Sequence, residues 1–196
     1  MPSRSDLSPH LIHFTKGNGE EDPLSVLLRI LREKTLRGSS GFVKGGSKCV
    51  SFTEAPFDVL SAGFHGHNGE SRYSRFGLRF AKDQVFRAGG LPVIYQPDSE
   101  YSTLPPSMRW RHVRYEPLAD PPIDWTWERE WRLLTQEFTF STEDVEVVLP
   151  DEATAKRFVE LVEHESFHHA WALTQVLGDI AWQYHERNPW RILRPR

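Results

Sequence analysis

Two periodicities divide this chain into a strand-rich body and a helical tail. "LIHFT" (Leu11 to Thr15), "CVSFTEAP" (Cys49 to Pro56) and "RFGLRF" (Arg75 to Phe80) read as strands, the last with Phe76, Leu78 and Phe80 on one face. "LPVIYQ" (Leu91 to Gln96), "RWRHVRYE" (Arg109 to Glu116), "DWTWEREWRL" (Asp124 to Leu133) and "VEVVLP" (Val145 to Pro150) bring the expected strands to about seven. Helical spacing appears in "PLSVLLRILREKTL" (Pro23 to Leu36), where Leu24, Leu27, Leu28 and Leu31 share a face and Pro23 suits the first turn. From Asp151, an N-cap candidate, Phe158, Leu161, Val162, Leu173, Val176, Leu177 and Ile180 form one apolar face of one or two closing helices.

Between these elements, Lys16 to Pro23 and Gly38 to Lys48 read as loops. Pro56 opens a short helix or turn through Leu60, and Phe64 to Ser74 reads as a polar surface loop. No repeat, low-complexity tract or clear linker interrupts the pattern. The expectation is a single α+β domain over 1–196, with a core over 11–150 and a C-terminal helical segment over 151–196.

Composition narrows the class. Of 196 residues, 38% are hydrophobic and 12% aromatic, including seven Trp and twelve Phe, which is too ring-rich for a disordered chain. A net charge of −3 gives no global field for nucleic acid, so any such contact would be local, at Arg109 to Arg114 or Trp190 to Arg196. The single cysteine, Cys49, sits in an apolar strand and reads as core, not as a nucleophile. No apolar run approaches the roughly 20 residues that cross a bilayer, and Met1 to Leu11 lacks the apolar centre of a signal peptide, so the expectation is a cytoplasmic protein with no membrane partner.

The stretch from Asp124 to Leu133 is the first candidate for chemistry. As one continuous strand it sends Trp125, Trp127, Arg129, Trp131 and Leu133 to one side, and Thr126, Glu128, Glu130, Arg132 and Leu134 to the other. Glu128 and Glu130 would then stand roughly 7 Å apart, within reach of one small reacting group. A surface Glu/Arg ladder over a packed tryptophan side is the structural alternative. A helical reading would instead pair Glu128 with Arg132. His13 with Thr15 on the first strand is a weaker signal. A third is "HESFHH", which contains the zinc-protease spacing H-E-x-x-H at His164, Glu165 and His168. Both histidines fall on the polar side of the helix, and Thr174 stands where a third histidine ligand would be, so the motif reads as incidental, with no metal expected.

The series "LIHFTKG", "PLSVLLRILREKTLRGS", "CVSFTEAPFDVL", "YSRFGLRF", "GGLPVIY" and "DWTWEREWR" resembles the bacterial abortive-phage-infection proteins of the AbiG antitoxin type. More distantly it is similar to the DarT group of DNA-targeting ADP-ribosyltransferases. The resemblance spans about residues 11–150 and lies in the order of the segments. It implies an ADP-ribosyltransferase-like split mixed β-sheet with flanking helices, and NAD as the bound substrate. It also implies a macromolecular acceptor, protein or nucleic acid, or a cognate toxin or antitoxin partner. The NAD-holding places fall on His13 and Thr15 and on Phe52 and Thr53, and the catalytic E-x-E falls on Glu128 and Glu130, with Glu130 as the transition-state carboxylate. The arginine-type enzymes carry Arg where His13 stands, and the diphtheria-toxin type carries Tyr near Thr53, which leaves the subclass and the acceptor open. A non-catalytic module of the same fold and a zinc hydrolase are the other functions these residues allow.

Overall fold

The computed structural model describes residues 7–56, 74–185 and 187–193. The helix or turn expected through Leu60 and most of the loop expected over 64–74 lie outside them. Among the described residues the architecture is mixed α+β. Its centre is a seven-stranded sheet made of β1 (His10–Thr15), β3 (Cys49–Thr53), β4 (Phe76–Ala81), β5 (Leu91–Pro92), β8 (Glu130–Leu134), β10 (Val145–Val148) and β11 (Arg191–Leu193). The strand order is β11-β10-β4-β1-β3-β8-β5. Only the β10–β11 ladder is parallel, so the sheet is mixed. Two short ladders flank it: β2 (Thr35–Arg37) with β9 (Glu137–Thr139), and β6 (Ile94–Gln96) parallel to β7 (His112–Arg114).

Strand alternation explains where the core sits. Leu11, Val50, Phe52, Leu78, Phe80, Leu133, Val145 and Val147 project to one face and join a single buried cluster. The helix α1 (Pro23–Glu33) covers that face with Leu24, Leu27 and Leu31. It starts as the sequence indicates: the Asp22 side chain accepts from the N–H groups of Leu24 (2.9 Å) and Ser25 (3.2 Å), and Pro23 occupies the first turn. It ends three residues before Leu36, because Lys34 turns left-handed (φ 49°) and the chain enters β2.

Several boundaries differ from the sequence expectation. "LPVIYQ" is cut in two, with β5 in the main sheet and β6 in a separate ladder, and Val93 between them donates its N–H to the Glu130 carbonyl (3.0 Å). The stretch expected as strand from Arg109 to Glu116 opens in a 3-10 turn over Pro106–Arg111, leaving only His112–Arg114 as strand. A short helix α2 (Lys82–Arg87) follows β4 directly. The C-terminal helix α3 (Glu152–Leu177) begins at Asp151, whose side chain accepts from Thr154 N–H (2.7 Å), and a 3-10 segment, Gly178–Tyr184, follows it. Of its expected apolar face, Phe158 is buried and Val162 packs partly against the core, whereas Val176 is 82% exposed and Leu177 and Ile180 also face outward; Ala155 and Ala170 are the other buried residues of the helix.

The largest correction concerns the tryptophan stretch. Asp124 to Arg129 is not strand. Thr126–Glu128 is a 3-10 turn and Arg129 adopts φ 45°, so β8 starts only at Glu130. A left-handed residue ends the two-residue alternation, and Glu128 does not share a strand face with Glu130. Trp125 and Trp127 pack on each other in the turn (6.4 Å between rings), while Trp131 alone of the three joins the main core cluster.

Candidate functional site

The seam between β1 and β3 differs from its neighbours. β1 runs beside β4 over six paired residues, but its register with β3 is a single pair, Ile12 with Thr53. Gly77 lets β4 lie close on the other side, since a Cβ there would meet the His13 carbonyl at 2.5 Å. Beyond the single β1–β3 pair, a side chain takes over the bridging role. His13 Nδ1 lies 2.8 Å from the Ser51 carbonyl, and because a carbonyl only accepts, Nδ1 carries the proton and Nε2 the free lone pair. Burial lowers the proton affinity of His13, and the Ser51 bond only partly offsets this.

Ser51 also serves the other side of the seam. Its hydroxyl donates to Glu130 Oε1 at 2.9 Å, across the register pairs Ser51–Arg132 and Thr53–Glu130. Arg132, two residues along β8, reaches the same carboxylate through Nε to Oε1 (2.8 Å) and Nη2 to Oε2 (3.1 Å). Its Nη1 donates to the carbonyls of Trp110 (2.9 Å) and His112 (3.1 Å), which accounts for a guanidinium whose side chain is only 4% exposed. The Tyr95 hydroxyl accepts the Glu130 backbone N–H (3.2 Å). Burial pushes that phenol up to about 12, so it stays neutral beside the carboxylate.

The remaining predicted residues are placed as follows. Thr15 is buried at the end of β1, and Phe52 is buried in the core, edge-on to His13, Phe80 and Phe138. Thr53 is buried, with its hydroxyl donating to the Glu128 carbonyl (2.5 Å) and accepting from Ala55 N–H (3.1 Å). Glu128 is buried in the turn preceding β8. Ser51 therefore contacts both His13 and Glu130, but from opposite faces of the sheet: His13 lies on the core face with Leu11 and Leu78, Glu130 on the other face with Arg132, and Thr15, Phe52, Thr53 and Glu128 lie in the surrounding packing.

Sequence reasoning did not assign roles to Ser51, Arg132 or Tyr95. Period-two spacing already puts Arg132 beside Glu130 and Ser51 beside Thr53, so two of the three had a local signal. Tyr95 arrives from the separate β6 ladder and had none. Cys49 is buried against Val43 and Trp110, and burial raises its thiol pKa, so it behaves as core.

On the opposite side of β8, Glu54 accepts from Trp131 Nε1 (2.8 Å) and pairs with Lys82 at the start of α2. No group of three or more metal-ligating side chains occurs among the described residues, and none of their helices is long and apolar enough to cross a membrane. No protein-family model matches the chain, and no curated protein or solved structure is significantly similar to it.

Proposed function

We propose that this chain is an NAD-binding, ADP-ribosyltransferase-like protein of bacterial phage defence or a toxin–antitoxin-like system, with its cleft at the β1–β3 seam and Glu130 as the catalytic carboxylate. The observation that carries the reading is the two-sided use of Ser51, whose carbonyl receives His13 and whose hydroxyl holds Glu130. This ties an early-strand histidine and a late-strand glutamate to one residue, from opposite faces of the sheet, and the resemblance names the same two residues.

The chemistry suits such a carboxylate. Cleavage breaks the nicotinamide–ribose C–N bond, its electron pair leaves with nicotinamide, and positive charge builds on the ribose, as in glycoside hydrolysis. An acceptor nucleophile then bonds to the ribose carbon and gives up its proton. A carboxylate fixed before the reaction stabilises the charged ribose more than it stabilises intact NAD. The bonds from Arg132 and Ser51 occupy three of the roughly four lone-pair positions of Glu130, leaving room on Oε2 for a ribose hydroxyl.

A second reading, a non-catalytic partner module of the same fold, draws on the same Arg132 fork. A guanidinium on both carboxylate oxygens neutralises much of the field an oxocarbenium-like ribose would need. Nicotinamide release from NAD, with and without host lysate, separates the two. On the catalytic reading, Glu130→Gln keeps shape and NAD affinity but slows release by about 10²–10³-fold. If the parent protein binds NAD and releases no nicotinamide with any lysate fraction, the module reading replaces the enzyme.

A further inference from the structure

The H-E-x-x-H segment lies on the exposed side of α3, and its two histidines converge. His164 Nε2 and His168 Nε2 are 3.0 Å apart, with ring centroids at 4.2 Å. Phe167 packs edge-on against His168 (5.8 Å) and His185 (6.0 Å), which restricts the His168 ring. We infer that His164 and His168 form a two-imidazole clamp for a divalent transition metal that takes nitrogen ligands at right angles, Cu²⁺ or Ni²⁺, and not a catalytic zinc centre.

The separation lets both nitrogens reach one ion, and the affinity order of nitrogen ligands favours copper over zinc. With metal–nitrogen bonds of about 2.0–2.1 Å, nitrogens 3.0 Å apart subtend roughly 91–97° at the metal. Tetrahedral zinc opens that angle to about 109° and would hold the nitrogens about 3.3–3.4 Å apart. A near-right angle suits two adjacent positions of a square-planar or tetragonal site, which Cu²⁺ and Ni²⁺ prefer, and Cu²⁺ binds nitrogen ligands more tightly than zinc does.

The rest of the zinc-protease machinery is missing from its place. Glu165, which would be the general base, is instead engaged by Arg32 Nε at 2.6 Å. No third His, Cys, Asp or Glu completes a cluster among the described residues. The remaining coordination positions therefore fall to water or to donors from another molecule.

Loading is balanced without any redox step. The hydrated ion gives up two waters and accepts one lone pair from each Nε2. The ring that had donated in the Nε2–Nε2 contact keeps its proton by moving it through solvent to Nδ1, so both imidazoles stay neutral.

The test is calorimetric titration of the full-length protein with Cu²⁺, Ni²⁺ and Zn²⁺, with electron paramagnetic resonance at one equivalent of Cu²⁺. The expected result is one Cu²⁺ per chain with hyperfine structure from two imidazole nitrogens, and weaker Zn²⁺. Loss of at least tenfold in Cu²⁺ affinity is expected in His164→Ala and in His168→Ala, with no change in Glu165→Gln. Circular dichroism of each variant separates loss of the clamp from loss of the helix. Zinc binding tighter than copper, dependence on Glu165, or Cu²⁺ affinity unchanged in both histidine variants would overturn the assignment.

Discussion

Two shielded ion pairs lie on opposite sides of Trp131 and are built differently. Glu130 and Arg132 stand two residues apart on one strand, with side chains 13% and 4% exposed. Glu54 and Lys82 come from the end of β3 and the start of α2, and the lysine is 27% exposed. In the first pair a planar guanidinium spends its donors on both carboxylate oxygens and two carbonyls, so the direction of Glu130 is fixed by geometry. In the second, a flexible ammonium meets one oxygen of Glu54 and lies 5.6 Å from the centre of the Trp131 ring, while the indole N–H holds the other oxygen. The lysine is a point charge that can shift; the arginine cannot be moved without breaking four hydrogen bonds. The first pair fixes the direction of the Glu130 carboxylate, and the second fastens α2 to the sheet.

That difference predicts unequal costs. Arg132→Met leaves Glu130 charged and shielded, and it strands the carbonyls of Trp110 and His112, so it should destabilise by about 3–5 kcal/mol. Glu130→Leu combined with Arg132→Met removes both charges and should recover a large part of that loss. Urea unfolding of the two single variants and the double measures the coupling. Full additivity would mean the fork does not act as a unit.

Lys82→Met should cost less, about 1–2 kcal/mol, because Glu54 keeps the Trp131 hydrogen bond and water can reach the vacated side. The same urea series serves as the check, and a loss as large as that of Arg132→Met would erase the contrast between the pairs.

Much of the frame was legible in the chain because it follows from local pattern. The leucines of α1, its Asp22 cap, and the alternation in β1, β3 and β4 depend on neighbours within a few residues. The break before β8 was not legible. Arg129 at φ 45° is held by tertiary bonds, with Glu54 donating its N–H to the Arg129 carbonyl (3.1 Å) and Thr53 binding the residue before it. Nothing in a run of Trp, Glu and Arg signals a left-handed residue. Strands of two or three residues, such as β2, β5 and β11, are too short to show a period. In α3 the spacing told which residues share a stripe but not whether anything covers it, hence the exposure of Val176 and Ile180. At the site, period two carried Glu130 and Arg132 together, whereas Tyr95 and the Ser51 bridge required the chain to fold.

The smallest expected effect concerns the third polar group at the seam, which unlike the ion pairs is held neutral. Burial lowers the pKa of His13 below its ordinary 6.5, and burial with the nearby Arg79 does the same for His10. Above pH 6.5 neither state of the chain protonates these rings, so they impose no penalty. As pH falls below that value, the unfolded chain takes up protons that the folded chain refuses, and stability declines until the folded values are passed. Each histidine can contribute at most about 1.4 kcal/mol per pH unit in that window. The carboxylates with lowered values, such as Asp22 and Asp124, act in the same direction but at more acidic pH, where unfolded carboxylates titrate. Between pH 6.5 and about 5 the slope is therefore mainly a histidine signal. His13→Gln can still donate to the Ser51 carbonyl while removing the titration, so its slope in this window should be shallower than the parental one, with His10 supplying the remainder. Urea midpoints at half-unit pH steps read this directly. Identical slopes for parent and variant would mean that His13 is protonated equally in both states, and that the seam is open enough to hydrate the ring.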